Sequence, residues 1–319
     1  MLDEILDSFS ITRPVSVKQM KTGLMNQTYR AMNSDGVFAL QGIHEVVPDA
    51  TLGDMHVVTE FLSQHGLQVP RLIKTSDGQL FTRDHNNLRW RLYSWIEGQI
   101  FEAIQDTAMA QEAGQLVGKF HKVISQLNYQ PVGSIPHFHD TPYILENLEK
   151  VVSDLPSDGQ ALAKTILAEA PNTIIDETKL QAHVIHGDLK ISNLLFDAER
   201  RAVGLIDFDT LLWRPAAIDM GDALRSWCNR TSEDDAQAQF DNELFEVIET
   251  GYQQGFGGDA DYRALHRQAA KQIALELSAR FLTDVVTDNY FGFDDKRYDS
   301  RKAHNWARAV GQYHLATTI

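Results

Sequence analysis

The segment His186-Gly187-Asp188-Leu189-Lys190-Ile191-Ser192-Asn193 gathers an acid, a cation and an amide into one short loop, and the apolar run Ala202-Val203-Gly204-Leu205-Ile206 ends at another acid, Asp207. Moving a γ-phosphoryl group calls for such a set: a carboxylate against the attacking hydroxyl, and oxygen ligands that hold magnesium on nucleotide phosphates. Asp188 suits the first task, Asn193 and Asp207 the second. A tight loop can aim Asp188 and Asn193, five positions apart, into one cleft, while Asp207 arrives at the end of a buried strand. Lys190 is placed to neutralise charge on the transferring group, because an ammonium is a compact point charge. His-Gly-Asp alone would equally describe a capped turn. The complete pattern, followed by a strand and an aspartate, favours phosphoryl transfer.

Those residues need supports. Leu194-Leu195-Phe196 and Val203 to Ile206 read as short strands flanking the loop. Upstream, residues 14–32, 36–43 and 88–96 read as extended, most clearly Val37-Phe38-Ala39-Leu40 and the alternating Leu88-Arg89-Trp90-Arg91-Leu92. Between them, Asp54 to His65 carries a helical apolar pattern ended by Gly66. Strands, helix, strands make a small nucleotide-covering lobe over residues 1–97, with Trp95-Ile96-Glu97-Gly98 as its hinge. From residue 98 to 319 the chain reads as mainly helical: a helix N-capped by Asp106 with apolar positions from Ala113 to Ile124, then helices at 142–153, 158–170, 218–228, 236–254 and 261–285. Gly255-Phe256-Gly257-Gly258 reads as a loop, its isolated glycines making no phosphate motif.

Bulk properties narrow the partners. A net charge of -15 on 319 residues disfavours nucleic acid and anionic membrane surfaces. The hydrophobic fraction of 43% supports a packed core. No window approaches eighteen continuous apolar residues, and Met1-Leu2-Asp3-Glu4 lacks a basic signal-peptide start, so a cytoplasmic location, where ATP is made, is expected. Cys228 is the only cysteine, which excludes an internal disulfide, and it reads as a small buried hydrophobe.

His186-Gly187-Asp188-Leu189-Lys190 and Leu205-Ile206-Asp207-Phe208-Asp209 resemble the aminoglycoside phosphotransferase and choline kinase superfamily. Asp207-Phe208-Asp209-Thr210 with Asp219-Met220-Gly221-Asp222-Ala223-Leu224-Arg225, His137-Phe138-His139-Asp140-Thr141-Pro142, Trp90-Arg91-Leu92-Tyr93, Phe281-Leu282-Thr283-Asp284, Asn289-Tyr290-Phe291 and His304-Asn305 with Arg308 are most similar to the N-acetylhexosamine 1-kinases. The resemblance spans about residues 20 to 312. It implies an α+β, bilobal, protein-kinase-like fold, ATP and Mg2+ as cofactors, and a small-molecule acceptor, here the anomeric hydroxyl of an N-acetylated sugar. The hinge backbone at Trp95 and Glu97 would meet the adenine edge. The resemblance further makes His139, Asp222, Arg225, Tyr290 and Arg308 candidate substrate contacts.

Several of these residues admit a second reading. Protein kinases carry a strand lysine toward the phosphates, but Phe38-Ala39-Leu40 leads here to Gln41, as in the sugar-kinase branch; Lys18 or Lys21 are possible substitutes. Gly23-Leu24-Met25-Asn26 stands where a phosphate loop belongs, with a single glycine, and its backbone amides from Gly23 to Asn26 would do the covering. Asp140 with Pro142 equally describes a helix start, and a zinc reading of His137 and His139 lacks further ligands. Asp222 and Arg225, three apart on one helix face, are either substrate contacts or a salt bridge, and Asp219 is a holder for His186. In the expected mechanism Asp188 orients the hydroxyl and accepts its proton, Asn193 and Asp207 hold magnesium, and Lys190 meets the phosphoryl oxygens. Choline, homoserine or an aminoglycoside as acceptor, and an inactive nucleotide-binding scaffold, are the alternatives.

Overall fold

A computed structural model describes residues 2–13, 16–20 and 27–319. A short helix α1 (Leu2–Asp7) precedes strands β1 (Ser16–Gln19), β2 (Gln27–Asn33) and β3 (Gly36–Ile43), helix α2 (Asp49–Gln64), and strands β4 (Leu72–Ile73), β5 (Thr82–Arg83) and β6 (Arg89–Ser94). These strands form one antiparallel sheet ordered β1-β2-β3-β6-β4, with β5 also on β6. The β2–β3 turn closes because Asn33 Oδ1 accepts the amides of Asp35 (2.8 Å) and Gly36 (3.1 Å), and Gly36 takes φ +145°.

Period-2 alternation in β6 predicts one apolar and one wet face. The apolar half holds: Trp90 and Leu92 pack with Phe38, Leu40 and the α1 residues Ile5 and Leu6. The other half does not, since Arg89 and Arg91 are also buried. They face carboxylates, with Arg89 on Asp49 of α2 and Arg91 on Asp209. The helix expected from Asp54 begins five residues earlier at Asp49, where Pro48 sets φ to -63° and an aspartate sits in the first turn. Asp54 is buried within α2 and accepts the amides of Val132 (3.0 Å) and Gly133 (2.6 Å).

Beyond residue 98 the chain is mainly helical: α3 (Thr107–Ile124), α4 (Thr141–Val151), α5 (Ser157–Glu169), then strands β7 (Ala182–Ile185), β8 (Leu194–Phe196), β9 (Ala202–Leu205) and β10 (Leu212–Pro215), then α6 (Ala216–Trp227), α7 (Asn242–Phe256), α8 (Arg263–Thr287) and α9 (Arg301–Thr318). The expected caps form: Asp106 accepts the Met109 amide of α3 at 2.8 Å, and Asp140 accepts the Tyr143 amide of α4 at 3.3 Å. Helix α7 starts at Asn242, not 236, because the preceding residues bridge back, Phe240 to Asn229 and the Asp241 amide to the Cys228 carbonyl (2.8 Å). Periodicity missed α9, whose inward face carries polar residues: His304 meets Asp234 and Asn305 meets Asp284.

Gly255 is not in the expected loop; it ends a packing seam inside α7. A Cβ at Gly114 or Gly118 of α3 would stand 2.2 Å from the Ile248 or Tyr252 carbonyl, and one at Gly251 or Gly255 would stand 2.1 or 2.0 Å from those of Gln111 or Gln115. The helices therefore touch backbone to backbone. Gly53 of α2 has nothing within 4 Å of a built Cβ. Gly251→Ala should lower unfolding free energy by roughly 2–3 kcal/mol through overpacking, whereas Gly53→Ala should raise it by about 0.5–1 kcal/mol, both read from urea denaturation.

Candidate active site

Two antiparallel strand pairs, β7 with β10 and β8 with β9, carry the predicted residues. The loop after β7 is fixed from behind. Asp219, in the first turn of α6, accepts the backbone amides of His186 (2.7 Å) and Gly187 (2.6 Å), and also the Nε2–H of His121 from α3 (3.1 Å). Burial alone would raise the Asp219 carboxyl, but these donors hold it below the usual range. The expectation that Asp219 holds His186 is met through the main chain. The His186 ring has its own task, donating from Nε2 to the Ile206 carbonyl (2.9 Å) and accepting the Asp188 amide at Nδ1 (3.3 Å). Gly187 takes φ +84°, and a Cβ there would lie 2.2 Å from the Thr210 carbonyl, so no other residue fits.

On this frame the catalytic candidates converge. Lys190 Nζ donates to Asp188 Oδ2 at 2.7 Å, and Asn193 Nδ2 donates to the same oxygen at 3.1 Å and to the Asp188 carbonyl at 2.8 Å. Asp207 follows β9 at φ 69° and ψ 58°, a left-handed conformation uncommon for a residue with a Cβ. The buried ring of Phe208 lies 4.9 Å from that of His186 and anchors the turn.

The two acids are pushed apart. Burial raises the Asp188 carboxyl, but Lys190, helped by Arg225, outweighs it and leaves Asp188 ionised below the ordinary range. Asp207 goes the other way: burial and the neighbouring charges of Asp209 and Asp188 exceed the help of Lys190 and Arg91, and the carboxyl is pushed up to about 6. Among the described residues no hydrogen bond occupies Asn193 Oδ1 or the Asp207 carboxylate. No cluster of three His, Cys, Asp or Glu side chains with metal-ligand geometry exists among the described residues. An amide and a carboxylate alone suit magnesium, which keeps most of its shell for phosphate oxygens and water.

The other candidates are distributed as follows. Gly23 and Asn26, like Lys21, lie outside the described residues. Gln41 faces the site but spends its oxygen on Arg91 (2.9 Å to Nε) and its amide on Thr28 (3.1 Å). Trp95 gives its backbone N–H to Val37 (3.0 Å), and Gln99 pairs with Phe196 at 2.7 and 3.0 Å; between these anchors no backbone hydrogen bond engages Ile96, Glu97 or Gly98 among the described residues. The exposed Glu97 side chain meets Arg30 at 3.3 Å.

His139 corrects its expectation as a substrate contact. It is buried, donating from Nδ1 to Glu276 of α8 (2.9 Å) and from Nε2 to the Gly187 carbonyl (2.9 Å), so it braces the loop from behind with both nitrogens engaged. Burial disfavours a charged ring, but Glu276 and then Asp222 outweigh that and raise its pKa.

Asp222 and Arg225 do form the salt bridge, at 2.8 Å, with Glu233 on the far side of Arg225 at 2.9 Å. Asp222 Oδ2 nevertheless remains buried with no partner among the described residues. Arg308 donates to the Gly292 carbonyl at 2.8 Å, and Tyr290 is half exposed.

Sequence reasoning missed Arg280. Its guanidinium lies 5.3 Å from each of the Phe138, Tyr290 and Phe291 rings and forms no hydrogen bond or ion pair among the described residues. Phe138 adjoins His139, so this cage abuts the loop. An arginine at a helical position in an acidic chain gives no signal of such surroundings. Arg91 was likewise hidden, because an alternating strand pattern does not show what its polar face meets.

Residues 16–255 match the model of the phosphotransferase enzyme family. The chain belongs to that family. It is similar to homoserine kinase from Pseudomonas aeruginosa, with 27% identity over 75% of this chain and 73% of that protein. Its fold is shared with amicoumacin kinase, solved with AMP-PNP and Ca2+, at a TM-score of 0.71 and 17% identity over 98% of this chain and 92% of that one. It is shared as well with a microcompartment-associated aminopropanol kinase, at 0.70 and 17% over 99% and 95%. This phosphotransferase therefore has the expected α+β kinase-like architecture. Among the described residues no helix is long and apolar enough to cross a membrane.

The raised Asp207 carboxyl has a stability consequence. A folded pKa of about 6 against an ordinary 3.8 makes the proton stabilising, fully so below about 4 and lost as pH rises through 6. In EDTA, Asp207→Asn should be more stable than wild type at pH 7.5 by about 1–3 kcal/mol, and the gap should shrink toward pH 4 in thermal melts.

Proposed function

We propose that this phosphotransferase moves the γ-phosphoryl group of ATP, as its magnesium complex, to a hydroxyl of a small molecule, and that the anomeric hydroxyl of an N-acetylhexosamine is the acceptor. The observation that carries the first part is the Asp188 carboxylate, kept ionised by Lys190 and fixed beside Asn193 while Asp207 stands unpartnered across the same cleft. Residues 1–97 would cover the nucleotide, with the free backbone of Ile96 to Gly98 meeting the adenine edge, and 98–319 would hold the acceptor. Asn193 Oδ1 and Asp207 would bind magnesium, which when bound neutralises phosphate charge.

Asp188 orients the acceptor hydroxyl and takes its proton as the oxygen attacks. Its low pKa is compatible with that role because proton transfer comes late in a loose transition state. Lys190 then turns from Asp188 to the phosphoryl oxygens, a short movement for a flexible, half-exposed side chain. For the acceptor, the lone Asp222 Oδ2 offers an acceptor to a hydroxyl, and Arg280 offers donors to a carbonyl such as an acetamido group.

A second reading is favoured by the homoserine kinase relatives. The same two groups would then meet an ammonium at Asp222 and a carboxylate at Arg280. Phosphorus NMR with magnesium ATP and N-acetylglucosamine, N-acetylgalactosamine, galactose, choline and homoserine separates these readings. Phosphorus coupled to an anomeric proton is expected; a homoserine phosphoester would move the acceptor, and nucleotide binding without product from any acceptor would favour a scaffold. Asp188→Asn should lower kcat at least 1,000-fold, about 4 kcal/mol of barrier, with ADP affinity within threefold. Arg280→Ala should raise the acceptor KM roughly tenfold or more, the worth of a charge-assisted hydrogen bond, leaving the ATP KM unchanged.

A further inference from the structure

Protein kinases place a strand lysine against the phosphates and pair it with a helix glutamate. Here the strand residue is Gln41, and the residue opposite it in the sheet is Arg91 of β6. Arg91 is 1% exposed. Its Nε and Nη2 donate to Gln41 Oε1, its Nη1 and Nη2 donate to the two oxygens of Asp209 (2.8 Å for Nη2), and Nη1 also meets Met55 Sδ at 3.6 Å. All its donors are used, so none remains for a phosphate. The α2 residue beside it is Met55, which cannot supply the missing glutamate. Of the α2 acids, Asp49 and Asp54 are engaged with Arg83 and Arg89 and with residues 129–133, and Glu60 forms no ion pair among the described residues. The carboxylate that pairs with Arg91 comes from the other side of the cleft, two residues after Asp207.

We propose that Arg91 is a positioning residue: its bidentate pair with Asp209 ties the turn 207–210 to the nucleotide-covering sheet and so holds Asp207 in the left-handed conformation that presents it to magnesium. The proposal rests on the phosphoryl-transfer reading of this site and explains how the chain dispenses with the strand lysine. The cation opposite Gln41 acts on the metal-holding turn and not on the nucleotide. A bidentate guanidinium fixes direction as well as charge, which an ammonium does not.

The test uses Arg91→Met, Arg91→Lys, Asp209→Asn and the double variant Arg91→Met/Asp209→Asn. In nucleotide-free protein, amides of Ile206 to Thr210 should exchange with deuterium at least tenfold faster in Arg91→Met and Asp209→Asn, with α3 and α7 unchanged. With ADP bound, Mn2+ affinity measured by electron paramagnetic resonance should fall tenfold or more in both single variants. The double variant should be no more than threefold worse, Arg91→Lys should be intermediate, and ADP affinity in EDTA should stay within threefold. Unchanged exchange in the turn overturns the proposal. So does loss of ADP binding in EDTA, which would mean a direct phosphate contact, or a Mn2+ defect in Asp209→Asn far beyond that of Arg91→Met, which would make Asp209 itself a ligand. Failure of the wild type to bind Mn2+ with ADP would sink the phosphoryl-transfer reading instead, and the exchange comparison would still decide the role of Arg91. Should Arg91→Met not fold, Arg91→Lys and Asp209→Asn carry the same measurements.

Discussion

A single buried carboxylate holds the catalytic loop in place. Asp219 sits at the start of α6, receives an N–H from His121 of α3, and accepts the consecutive amides of His186 and Gly187. An isolated buried charge is costly, and here each oxygen is met by donors, so the cost becomes positional precision. The loop has few other places to sit. Gly187 presses on the Thr210 carbonyl, the His186 ring spans to Ile206, and His139, held by Glu276 of α8, pins the Gly187 carbonyl. The HGD segment is thus a rigid platform made of backbone, and the side chains after Gly187 are left free for chemistry.

Two aspartates share the cleft on opposite terms. Asp188 has a lysine within hydrogen-bonding distance and stays ionised, while Asp207 has acidic neighbours and holds its proton up to about pH 6. Environment alone separates their roles, since both begin as the same acid. The excess negative charge around Asp207 is the part of the site best suited to a divalent cation, whereas the ionised, lysine-paired Asp188 is suited to an acceptor hydroxyl.

Polar contacts also join residues before 98 to residues beyond it. Arg91 reaches Asp209, and Asp54 of α2 captures the 129–133 segment through its amides. The apolar core closes around α3 and α7, where paired glycines bring backbones into contact. Buried ion pairs add little net stability against an apolar alternative, yet removing one partner leaves an expensive orphan. Such pairs therefore fix geometry more than they raise stability.

The loop residues Asp188, Lys190 and Asn193 and the later Asp207 were legible from spacing, because a short loop constrains where neighbours in sequence can point. Their supporting strands, the sheet of the first part and the capped starts of α3 and α4 were legible for the same local reason: period, cap and turn chemistry act over a few residues. What the sequence could not reveal are partners distant along the chain. His139, a candidate contact, has both ring nitrogens engaged in bracing the loop, the arginines of β6 are buried, and Arg280 gave no sign of its three-ring cage. By itself the sequence determined which residues are candidates for the chemistry and most of the elements that carry them. Tertiary structure alone decided how the buried charges of Asp219, Arg91 and His139 are met, because that depends on distances between residues about 30 to 140 positions apart and on the exclusion of water around them.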